Sequence, residues 1–133
     1  MYHVLIVGSF VCIMLATLWP FDFTFTATFA PVKPYFFLLS LGKSSVLDVC
    51  ENIALFIPFG LGLAGYLRKS RLLQARTAIG AVIICSLTLS YVIEVLQIFQ
   101  PTRFPAIIDV VSNSIGGLGG YVCYVWLVAA AGE

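Results

Sequence analysis

Charge is scarce in this chain. Of its 133 residues, seven are Lys or Arg and six are Asp or Glu, 10% in all, where ordinary soluble domains carry about 25%. A water-soluble particle this small has a high surface-to-volume ratio and must cover most of its surface with polar groups. So few charged side chains cannot do that. A free-standing soluble enzyme, a nucleic-acid binder and a disordered segment are excluded on this ground.

Other absences narrow the chemistry. His3 is the single histidine, so a zinc site of His ligands has no basis, and Ser112 and Ser114 have no His partner for a triad. The four cysteines, Cys12, Cys50, Cys85 and Cys123, form no C-x-x-C pair. Expected at different depths, they read as unpaired, buried small hydrophobes. Glycine-rich phosphate loops and basic aromatic patches are missing. No cofactor and no nucleic-acid partner is therefore expected.

What is present is apolar sequence: 61% hydrophobic residues and a mean hydropathy of +1.05. A helix needs roughly 20 mostly apolar residues to cross about 30 Å of hydrocarbon. Four segments qualify, at about 2–19, 46–67, 77–99 and 105–130. None sustains the alternation of a barrel strand. The expected fold is all-α: one domain over 1–133, an integral membrane four-helix bundle. The first segment lacks a basic leader region and a small-residue cleavage site, so it reads as a retained anchor with Trp19 at the interface.

Basic residues set the orientation. Arg68, Lys69, Arg71 and Arg76 share the short loop between the second and third segments. That loop is expected to be cytoplasmic, with both termini on the same side. The loop from Pro20 to Ser45 then faces outward. It is rich in aromatics (Phe21, Phe23, Phe25, Phe29, Tyr35, Phe36, Phe37). The alternation from Phe21 to Thr26 would put three Phe on one side of an extended strand, and 34–41 could form a short interfacial helix. Ser45 and Asp48 have capping-box spacing. Pro58 should kink the second helix, and Pro105 suits the first turn of the fourth. Gly116 with Gly120, and Gly60 with Ala64, have the spacing that lets helices approach closely in lipid.

The polar residues within the spans converge. An ionisable group at a helix centre costs about 2.5–3.5 kcal/mol on insertion scales, so such groups usually line a bundle interior or wet cavity. Asp48, Glu51 and Asn52 open the second helix. Glu94 and Gln97 close the third, and Arg103 follows it. Asp109 and Asn113 open the fourth. Spacings of three and four put each set on one helix face. The topology, drawn from basic loops alone, puts all of them at the outer end of the bundle, which points to an outward-facing polar cavity. Plainer roles compete. Asp48 also reads as a cap, Asn52, Gln97 and Asn113 as interhelical hydrogen bonds of about 0.6 kcal/mol each, and Arg103 as a neutralising partner. The carboxylates are oxygen donors of the kind that hold Mg²⁺ or Ca²⁺, but Arg103 already supplies positive charge, so no metal is expected.

These residues also form a recognisable order. Glu51-Asn52-Ile53-Ala54-Leu55-Phe56-Ile57-Pro58-Phe59-Gly60 resembles the "EN…LFxPFG" signature of the VanZ-like membrane protein family. Glu94 and Gln97, then Arg103, then Asp109 and Asn113-Ser114-Ile115-Gly116-Gly117 resemble its "E..Q … R … D....N..G" signature. The likeness covers about 48–121. It implies a bacterial cytoplasmic (inner) membrane protein linked to the cell envelope and to low-level resistance to the glycopeptide teicoplanin. It implies no defined reaction, and whether the chain is an enzyme stays open.

Two readings follow. In the first, the cavity binds an outer-leaflet lipid headgroup, a cell-wall precursor or a glycopeptide-related ligand. Glu94, Glu51 and Asp109 are then the candidate catalytic groups, with Glu94 as general acid or base. Asp48, Asn52, Gln97, Arg103 and Asn113 are the candidate ligand-binding groups. In the second, the chain is a non-catalytic accessory protein that docks a membrane-protein partner or a second copy through its helices. Transport ranks last, because the inner halves of the spans hold few polar groups.

Overall fold

The computed structural model describes residues 1–25, 45–70, 72–103 and 105–132. It contains four helices: α1 (Tyr2–Leu18), α2 (Val46–Lys69), α3 (Ala75–Gln97) and α4 (Ile107–Ala130). Phe29, Tyr35, Phe36, Phe37 and the short helix expected at 34–41 lie outside the described residues. Among those described, α2 and α3 are long and apolar enough to cross a membrane, and α1 is apolar but shorter.

The bundle is built inside out. Its deepest side chains include Ser86, Ser90, Glu94, Gln97, Gln100, Ser112 and Asn113, while Val4, Val7, Val11 and Leu15 form an exposed stripe on α1. Ile84, Leu87 and Tyr91 do the same on α3, and Val111, Ile115, Val122 and Trp126 on α4. In water this surface would be an aggregation liability. In hydrocarbon it is solvated, and the polar groups inside are the ones that need partners. The same inversion corrects the reading of the cysteines. Cys12, Cys50, Cys85 and Cys123 are unpaired but exposed rather than buried. A small apolar side chain costs nothing on a lipid-facing wall.

Helix α2 is the axis of the packing. It lies against α4 over the longest stretch, and it also touches α1 and α3. Glycine makes the α2–α4 approach possible. A Cβ on Gly60 would strike the backbone of Gly117, one on Gly116 the backbone of Ile53, and one on Gly120 the backbones of Ile57 and Leu61. Close backbone approach replaces the hydrophobic drive that is missing between helices in lipid. Two apolar clusters fill the rest. Ile13, Leu18, Phe56, Phe59 and Ile93 form one, with Phe56 and Phe59 edge to face at 6.1 Å. Ala64, Ala78, Val82 and Tyr121 form the other.

The helix ends have identifiable causes. Ser45 caps α2 through a reciprocal box: its Oγ accepts the Asp48 N–H at 3.1 Å, and the Asp48 carboxylate accepts the Ser45 N–H at 2.7 Å. α2 runs through Pro58 as a single element. Pro105 sits outside α4, not in its first turn, because Ala106 is held extended as the N-cap (φ −135°, ψ 134°). The last carbonyls of α1 are capped from α3. Gln97 donates to Thr17 O at 2.9 Å, and Gln100 donates to Leu18 O at 2.8 Å. After α1 the chain runs along the end of α3, where Thr24 N–H donates to Phe99 O at 2.8 Å. The rings of Phe21, Phe23 and Phe25 follow one another at 6.4 and 6.2 Å, and Phe25 meets Phe99 at 5.1 Å. The three rings lie in one file, but the chain is not extended through Phe21, which has a φ of 64° and whose carbonyl accepts the Phe23 N–H at 2.9 Å.

Candidate functional site

Antiparallel neighbours place the C-terminal ends of α1 and α3 beside the N-terminal ends of α2 and α4. An open cavity of about 720 Å³ lies at this end of the bundle. From α2, Asp48, Glu51 and Asn52 line it. From α3 come Glu94 and Gln97. Arg103 reaches it from the α3–α4 connection, and Asp109 and Asn113 from α4. All eight candidate residues therefore meet on one cavity. Their environments differ: Asp48 and Glu51 are exposed at the rim, Asn52, Arg103 and Asp109 are half-buried, and Glu94 and Asn113 are 2% and 1% exposed.

Each helix supplies its groups by simple periodicity. On α3 the inward stripe runs Ala78, Val82, Ser86, Ser90 and Glu94, one residue per turn. On α4, Asp109 and Asn113 occupy successive turns above Gly117. Glu94 accepts the backbone N–H of Ala106 at 2.8 Å, and Asn113 donates through Nδ2 to Ser90 Oγ at 2.8 Å. Arg103 lies within electrostatic reach of both Glu94 and Asp48, and Asp109 within reach of Glu94. Four carboxylates and one guanidinium thus line the same cavity.

Some plainer roles hold as well. Asp48 is a helix cap and a rim residue at once. Gln97 lines the cavity, but its amide nitrogen holds α1. Ser112 and Ser114 donate back to Asp109 O and Val110 O within their own helix, a common habit of helical serines. His3 lies at the opposite end, its ring 4.6 Å from that of Tyr66. Among the described residues, no group of three or more His, Cys, Asp or Glu side chains is arranged to hold a metal ion.

The structure adds residues that the sequence did not flag. Thr17 and Thr102 join the lining, as does Ala106. Ser90 supports Asn113 from below. The order of these groups along three helices is what a family comparison can test. A model of the VanZ/LLP1 family matches residues 5–128.

The chain belongs to the VanZ/LLP1 family.

The match takes in nearly the whole chain, including α1, where the sequence alone showed no signature. No curated protein and no solved structure gives a match. For this VanZ/LLP1 protein the geometry therefore carries the functional argument. Ala16, Ala54 and Leu55 give the cavity an apolar side next to its polar one, so it suits a ligand with both characters.

Proposed function

We propose that this VanZ/LLP1 protein binds the polar headgroup of an outer-leaflet lipid, a cell-wall precursor or a glycopeptide-related ligand, in the service of the cell envelope and of antibiotic resistance. One observation carries the reading: Asp48, Glu51, Glu94, Asp109 and Arg103, brought by three helices and a loop, line a single open cavity of about 720 Å³. Charges in a membrane bundle are costly, and a wet, ligand-accepting cavity is the usual reason to keep them. The basic residues Arg68, Lys69 and Arg76 belong to the opposite end of the bundle, which supports an inner-membrane orientation with the cavity facing outward and both termini inside.

Within this reading Glu94 is the group best placed for acid–base chemistry, being nearly buried and beside Arg103 and Asp109. Glu51 and Asp109 flank it and would orient the ligand. The test is to purify the full-length protein gently and identify what is carried along by mass analysis of its lipid extract. An enriched lipid or cell-wall precursor supports the reading. A stoichiometric protein partner with no enriched small molecule would instead favour an accessory role.

A further inference from the structure

The cavity has a chemical bias that narrows its ligand. Among the described residues Asp48, Glu51, Glu94 and Asp109 outnumber Arg103, a formal surplus of three negative charges on the lining. No three acidic, His or Cys side chains among the described residues gather closely enough to hold a metal ion. The negative charge is therefore spread over the walls, which suits an organic cation rather than a compact inorganic one.

A second observation points the same way. Asn113 is 1% exposed and lines the cavity. Its amide nitrogen is committed to Ser90, while its Oδ1 has no hydrogen-bond partner. A buried acceptor left unmatched is costly, because its water is lost and nothing replaces it. A ligand that brings a donor to this oxygen removes that cost.

The kind of cation follows from what the walls lack. Among the described residues no aromatic side chain lines the cavity; a quaternary ammonium, which is held by ring faces, also has no N–H to offer Asn113. A primary ammonium brings three donors. Among the described residues Arg103 is the one cationic side chain in the lining, and a guanidinium is suited to a phosphate.

We infer that the cavity takes a primary ammonium carried next to a phosphate, the chemistry of an ethanolamine phosphate group, with the ammonium toward the carboxylates and Asn113 Oδ1 and the phosphate on Arg103. This rests on reading the cavity as a headgroup site. Such a group comes either from an aminophospholipid or from free phosphoethanolamine.

The experiment uses the full chain in mild detergent, offered equal amounts of phosphatidylethanolamine, phosphatidylcholine and phosphatidylglycerol and read by native mass spectrometry. Phosphatidylethanolamine should be retained at least about fivefold over both others, the low end of what one matched buried acceptor is worth. Glu51→Gln, at an exposed position that folding does not depend on, should reduce that preference about two- to threefold. Competition by free phosphoethanolamine would show that the headgroup suffices. Competition only by the diacyl lipid would show that the lipid is the ligand, and both results support the inference. Equal retention of the ethanolamine and choline lipids overturns the inference and leaves the headgroup reading standing. Retention of none of the three overturns the inference and, with it, the lipid-headgroup form of the proposed function.

Discussion

The carboxylate of Glu94 accepts the backbone N–H of Ala106 across twelve positions of sequence, at 2.8 Å and largely shielded from solvent. That bond links the last turns of α3 to the entry of α4 and sets Ala106 extended as the N-cap. A residue proposed for chemistry is thus also a structural clasp. The two roles separate by substitution. Glu94→Gln keeps an oxygen for the Ala106 N–H and should melt within about 1 kcal/mol of wild type, while losing any function that needs the carboxylate. Glu94→Leu strands the N–H and should cost about 1–3 kcal/mol. Thermal unfolding in detergent, read beside ligand retention, distinguishes the two.

Asn113 and Ser90 should be coupled. In a double-mutant cycle of Asn113→Ala and Ser90→Ala, the interaction energy should lie near the membrane-protein average of about 0.6 kcal/mol and below about 1.7. Additive losses would mean that the 2.8 Å contact contributes nothing to stability.

The α2–α4 seam should tolerate no added methyl where backbones meet. Gly120→Ala would drive a Cβ into the backbone of Ile57 and should destabilise by about 1–3 kcal/mol. Gly80→Ala, with open space around it, is the control and should be neutral or slightly stabilising through helix propensity. Yields of folded protein and melting temperatures report the difference.

Cysteine labelling tests the orientation. Cys50 is exposed near the cavity end of α2, whereas Cys12, Cys85 and Cys123 lie on outward walls farther along their helices. In intact cells a membrane-impermeant maleimide should label Cys50, and Cys50→Ser should abolish the signal. Labelling of Cys50 only in inside-out vesicles would reverse the proposed topology.

Much of this architecture is legible in the sequence because the bilayer imposes a strong length rule. All four helices end within two residues of the positions read from apolar runs, and Ser45 with Asp48 is capped as its spacing suggests. The eight cavity residues stood out because each interrupts an apolar helix or adjoins one. The groups that escaped notice lack that contrast. Ser86 and Ser90 barely lower hydropathy and read as ordinary span residues. Gln100 lies past the end of α3 and read as loop. The N–H of Ala106 has no signature at all, since every residue but proline carries one. Pro105 was placed inside α4 because local rules favour proline in a first turn, whereas a long-range bond from Glu94 fixes where that turn begins. The cysteines depart from expectation for a different reason: the rule that small hydrophobes go inside holds in water and inverts in lipid.

The capping of α1 by α3 has a consequence for biogenesis. The Thr17 and Leu18 carbonyls receive their donors from Gln97 and Gln100, about 80 residues later in the chain. A ribosome delivers α1 to the membrane well before either glutamine has been synthesised. Until then the Leu18 carbonyl has the Phe21 N–H at 2.7 Å, whereas the Thr17 carbonyl is served by headgroups and interfacial water until α3 arrives. A chain truncated after α2 should insert with α1 already against α2, its main neighbour, but with the Thr17 carbonyl still waiting for Gln97.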